Sequence, residues 1–92
     1  MKIPYTHSQN SQQAFEAMKK KITPEYLAQF KVCAEVKYLE SSNRIEAKGQ
    51  GFTLLIDFSS SDCELGLDLS FLLKPFKSKI LDKIGNELKT IV

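Results

Sequence analysis

The sequence predicts a single α+β domain spanning residues 1–92. One antiparallel β-sheet carries an N-terminal helix and a long C-terminal helix on the same face, in the order β-α-β-β-β-β-α. Three observations predict it. Between residues 32 and 71 apolar side chains fall at every second position, the period of a strand with one buried face. Clusters of Gly, Ser, Asn and Asp cut that stretch into four short pieces. Before and after it, apolar residues recur at helical spacing instead. The 92 residues suffice for one domain and not for two.

Each element follows from local residues. Residues 2–6, KIPYT, predict a short strand, which Pro4 confines to an edge or to a strand start. Ser8 or Asn10 offers an N-cap for a first helix reaching Ile22, with Ala14, Phe15, Met18 and Ile22 on one side. Thr23 and Pro24 then read as cap and first helical residue of a second, short helix over 24–30. Four strands follow. Val32, Ala34, Val36 and Tyr38 alternate with polar positions, and ESSN turns the chain. Ile45 and Ala47 share a face in the next strand, which ends at GQG. Phe52, Leu54, Ile56 and Phe58 share a face, and SSSD makes the following turn. Cys63, Leu65, Leu67, Leu69 and Phe71 complete the set. Strands joined by such short turns form an antiparallel meander. Its apolar face needs a cover.

The tail supplies that cover. Pro75 disfavours α geometry at Lys74, so the last helix starts near Pro75. Leu73, Phe76, Ile80, Leu81, Ile84, Leu88 and Ile91 make one broad apolar stripe along it. Lys79, Asp82, Lys83, Asn86 and Lys89 face away, and Gly85 marks a close approach to the sheet. Lys77 falls inside the stripe and is expected to snorkel out. The arrangement looks like a reduced helix-grip fold, by fold-level analogy.

Composition excludes several functions. The chain is 42% apolar, with 13 basic and 11 acidic residues and a formal charge of +2. Arg44 is the only arginine, and bidentate readout of bases and phosphates favours arginine, so nucleic acid is not an expected partner. Cys33 and Cys63 form no CxxC pair, and with one histidine they do not make a zinc set. Free thiols in a reducing, cytoplasmic setting are expected. The start MKIPYTHSQNSQQ has no apolar core of a signal peptide, and no run approaches the ~18 residues of a membrane span.

The residues that carry chemistry elsewhere find no motif here. His7 has no partner nearby in sequence to make it a general base. The serines at 59–61 sit in no nucleophile elbow, and GQG lacks the spacing and following helix of a phosphate loop. Asp57, Asp62, Glu64 and Asp68 lack the tight spacing of a calcium loop and read as a solvated sheet face. No catalytic residue, metal ligand or cofactor is therefore expected, and an enzyme is not. Two basic clusters remain as candidate partner surfaces. Lys19, Lys20 and Lys21 form the first, Lys74 and Lys77 begin the second, and together they make a basic layer if both helices cover one sheet face.

The stretch LGLDLSFLLKPFKSKILDKIGNEL resembles the polyhydroxyalkanoic acid system proteins, small bacterial proteins of about this length. That family pairs a histidine before the first helix with glycines spaced as in KGQGF and with a terminal LxxxLxFLLxPxKxxIxxxIxxxL pattern. Here His7, then Gly49, Gly51 and Phe52, then Leu69 through Leu88 occupy those places. Ser8-Gln9-Asn10 replaces the usual Thr-Leu-Gly, and Tyr38 stands where a tryptophan is frequent. The resemblance implies a non-enzymatic accessory or binding protein associated with polyester storage granules, with the granule surface or another protein as partner. The alternative is a small carrier holding an apolar ligand between the sheet and the C-terminal helix. Phe52, Leu54, Ile56 and Leu67 would line that cavity from the sheet, together with Leu69; Phe76, Ile80 and Ile84 would close it. The Pro4 edge or the uncovered polar sheet face would support a homodimer.

Overall fold

The computed structural model describes residues 2–30 and 32–92. Five strands form one antiparallel sheet: β1 (Lys2–Pro4), β2 (Ala34–Leu39), β3 (Arg44–Gly49), β4 (Phe52–Phe58) and β5 (Asp62–Leu69). Their order is β1-β5-β4-β3-β2. The four later strands are a meander, and β1 returns to pair with β5 through Ile3 opposite Cys63. Helices α1 (Ser11–Lys19), α2 (Pro24–Ala28) and α3 (Lys77–Ile91) complete the α+β fold, with a 3-10 turn at Lys74–Phe76 leading into α3.

The alternation in the sequence becomes two sheet faces. Ile45, Ala47, Phe52, Leu54, Ile56, Cys63, Leu65, Leu67 and Leu69 all point into one core. Ala14, Phe15 and Met18 from α1 and Ile80, Ile84 and Leu88 from α3 meet them there. Phe15 anchors α1 edge-on against Phe58, with ring centroids 5.9 Å apart. Burying such a side chain stabilises by about 1.5–3 kcal/mol. The other face carries cross-strand charge pairs. Lys2 sits opposite Glu64, Arg44 opposite Asp57, Lys37 opposite Glu46 and Glu35 opposite Lys48. Opposite charges so placed favour this register and suit the face to water.

Local signals set the helix starts. Asn10 Oδ1 accepts from the Gln13 amide at 2.9 Å, and Thr23 Oγ1 accepts from the Tyr26 amide at 3.1 Å, with Pro24 beginning α2. The turn between β3 and β4 needs glycine at two positions. Gly51 has φ +74°. A Cβ on Gly49 would lie 2.5 Å from the Cys33 carbonyl oxygen.

The observed elements are shorter than expected at several ends. β1 stops at Pro4, because the chain then leaves the sheet to place the Thr6, His7 and Ser8 amides on the Val92 carbonyl oxygen at 2.7–2.9 Å. α1 stops at Lys19, and Ile22 is buried from a following turn. α2 ends at Ala28.

The largest difference concerns β5. It ends at Leu69, and Phe71 is 86% exposed rather than on the apolar face. The cause lies on the neighbouring strand. Leu69 pairs with Phe52, the first residue of β4, and before Phe52 the chain is already in the Gly49–Gly51 turn. Ser70 makes one more bond, to the Gly51 carbonyl at 2.8 Å, and beyond it there is no strand to pair with.

Candidate docking surface

The segment between β5 and α3 presents apolar side chains to solvent on an ordered backbone. The Ser70 carbonyl accepts from the Leu73 and Lys74 amides, each at 3.0 Å, which closes a tight turn. Phe71 and Leu72 occupy its two central positions and project outward, 86% and 81% exposed. Leu73 turns back and packs against the core. The Leu73 carbonyl then accepts from the Phe76 amide at 3.0 Å, continuing into the Lys74–Phe76 3-10 turn that holds Pro75. Backbone bonds therefore hold Phe71 and Leu72 out of the core. Lys74 and Lys77 flank them, both exposed, and neither takes part in an ion pair among the described residues. Lys77 lies along the α3 stripe by sequence, but the first turn of α3 overhangs the core and leaves it in water.

Beside this knuckle runs a groove of about 520 Å³. Leu73, Phe76 and Ile80 form one wall and Gln29 and Phe30, at the end of α2, the other. Lys79 and Lys83 stand on the rim. A second, more open depression of about 610 Å³ lies between α2 and β2, lined by charges of both signs, including Glu25, Glu35 and Lys48.

The remaining sequence candidates are dispersed. Lys19 is bound to Glu40 at 2.6 Å and lies 5.8 Å from the Tyr38 ring centroid. Lys21 approaches Glu87 at 3.6 Å and the Tyr26 ring at 5.9 Å. Lys20 is exposed. The first cluster thus meets α3 at Glu87, about 15 Å along the helix axis from Lys77. Two of its members are engaged within the fold, so the expected continuous basic layer does not form around Lys74 and Lys77.

The residues expected to line a cavity split in a similar way. Phe52, Leu54, Ile56, Leu67, Leu69 and Ile84 are buried within the shared core. Phe76 is 53% exposed and, with Ile80, opens onto the groove instead.

His7 is exposed, and its backbone amide serves the Val92 carbonyl. Cys33 is exposed and Cys63 fully buried, where burial and then the charge of Asp62 push its thiol up to about 11. Asp57 is held by Arg44, whose Nε donates to Oδ1 at 2.5 Å. Among the described residues no group of three or more histidine, cysteine or acidic side chains could hold a metal ion, and no helix is long and apolar enough to cross a membrane.

Sequence reasoning missed Phe30 and Gln29 as groove residues. Nothing in the chain order joins position 30 to position 76, and the aromatic at the end of α2 is the sole local hint. Phe71 and Leu72 were visible as apolar residues before a proline, but not as exposed ones.

The fold and this surface define a small α+β protein with an ordered apolar protrusion. No protein-family model, curated protein or solved structure matches the chain.

Proposed function

We propose that the chain is a non-enzymatic accessory protein that docks on an apolar surface, of the kind presented by polyhydroxyalkanoate storage granules. The observation that carries this reading is the knuckle: Phe71 and Leu72 held outward by the Ser70 turn, with exposed lysines at 74 and 77. Large apolar side chains that expose most of their surface on a hydrogen-bonded backbone suit burial in a partner phase. Flanking ammonium groups remain in the water layer and add attraction where that layer is anionic. The C-terminal resemblance supports the same reading, because its LSFLLKP segment is the knuckle itself.

Purified protein mixed with isolated granules and sedimented tests it. Enrichment in the granule fraction is expected, together with its loss in a Phe71→Ser/Leu72→Ser variant. Both side chains lie outside the core, so that variant should keep the native circular dichroism spectrum. Recovery no greater than that of a similar-sized control protein would overturn the reading.

A further inference from the structure

We propose that the groove between the end of α2 and the first turns of α3 binds a single-chain carboxylate: one alkyl tail ending in one anionic head group. The tail is accounted for by Phe30, Leu73, Phe76 and Ile80, whose side chains give the groove apolar walls on both sides. The head group is accounted for by Lys79 and Lys83. They lie four residues apart on α3, so they are neighbours on one helix face, with Cβ atoms roughly 5–6 Å apart. Two ammonium groups at that spacing can converge on a single carboxylate. Neither takes part in an ion pair among the described residues, and no acidic residue lines the groove. The nearest acids along α3 leave both ammonium groups unpaired. Asp82, three residues from Lys79 on the same outward face, makes no ion pair with either lysine among the described residues, and Glu87 is engaged by Lys21 at 3.6 Å.

Size favours a small ligand over a folded partner. A volume of about 520 Å³ falls within the roughly 300–1,000 Å³ of small-molecule sites. A stable protein interface buries about 800 Å² on each side, more than a slot of this size presents. The polar handle on the opposite wall is Gln29, whose amide nitrogen donates to the Tyr26 carbonyl at 2.8 Å and so fixes its orientation. This inference is independent of granule docking: it rests on the groove and its rim, not on Phe71 and Leu72.

The test is a titration of the full chain with decanoate at sub-micellar concentration, followed by calorimetry and by amide chemical shifts. Saturable binding is expected, with shifts concentrated at Phe30, Leu73 and Ile80. Decanol, which has the tail without the charge, and acetate, which has the charge without the tail, should each bind at least about tenfold more weakly. Lys79→Glu/Lys83→Glu changes exposed side chains, so it should fold normally while losing decanoate by about tenfold or more. The same variant should gain affinity for decyltrimethylammonium, which reverses the head-group charge. Absence of saturable decanoate binding, equal binding by the charge-reversed variant, or shifts confined to residues 71–72 would each overturn the proposal.

Discussion

Single residues in this fold carry conformational demands that their side chains reveal. Gly51 adopts φ +74°, and a Cβ there would lie 2.6 Å from Ser70 Oγ. Gly51→Ala therefore combines a left-handed backbone with a contact to the turn that bears Phe71 and Leu72. It should destabilise by about 1–2 kcal/mol, read as a lower urea midpoint at unchanged m-value. An unchanged midpoint would show that the turn relaxes freely. Tyr26 makes the opposite demand. Its hydroxyl is buried with no hydrogen-bond partner among the described residues, while its ring packs edge-on against Phe30 at 5.9 Å. Tyr26→Phe keeps the ring and removes the stranded hydroxyl, so it should raise stability by up to about 1 kcal/mol. A fall in melting temperature would mean that the hydroxyl is satisfied in solution.

Elements were legible in the sequence where their cause is local. Asn10, Thr23 and Pro24 act within three residues of where they stand, and both caps form. The strands β3 and β4 follow from a period-two pattern that a one-residue slip would turn inside out. The ends of elements were less legible, because a strand stops where its neighbour stops. Phe71 continues the alternation of β5 without fault, yet β4 gives it nothing to pair with. The same holds for the N-terminal segment. Pro4 placed β1 at an edge, but no local signal placed the amides of Thr6, His7 and Ser8 on the Val92 carbonyl at the end of α3. That junction couples the first and last elements. The amides of Thr6, His7 and Ser8 should exchange with solvent slowly and as a group, at rates that track the last turn of α3. Exchange of these three at the rate of a free chain, with α3 still protected, would show that the junction is not maintained.

At the scale of the whole molecule, the surface functions expected from sequence had to be redistributed, since they depended on distances between elements. The two lysine clusters both exist on helices that cover one face, but helix length separates them and Glu40 and Glu87 engage the first. All of the expected cavity residues except Phe76 became core, because a 92-residue chain has few apolar side chains to spare from its single core. That core and its margins hold groups that keep their protons more tightly folded than unfolded. Cys63 is raised by burial from 9.0 to about 11. Tyr5 and Tyr26 are raised from 10.0 to about 12, mainly by burial, with Cys63 and Asp62 adding at Tyr5 and Glu87 at Tyr26. Each favours the folded state while it stays protonated. The linked stabilisation is complete below the unfolded values and is lost as pH rises through the folded ones. Stability should therefore begin to fall above about pH 9, first through the thiol, and continue to fall through about pH 12 as the two tyrosines ionise. Urea midpoints measured at pH 8 and pH 11 check this. Cys63→Val removes the earliest-titrating group while keeping an apolar side chain of similar size in the core. Its midpoint should decline less between pH 9 and pH 11 than that of the parent chain. Parallel declines in the two proteins would move the alkaline sensitivity away from the buried thiol and onto the tyrosines.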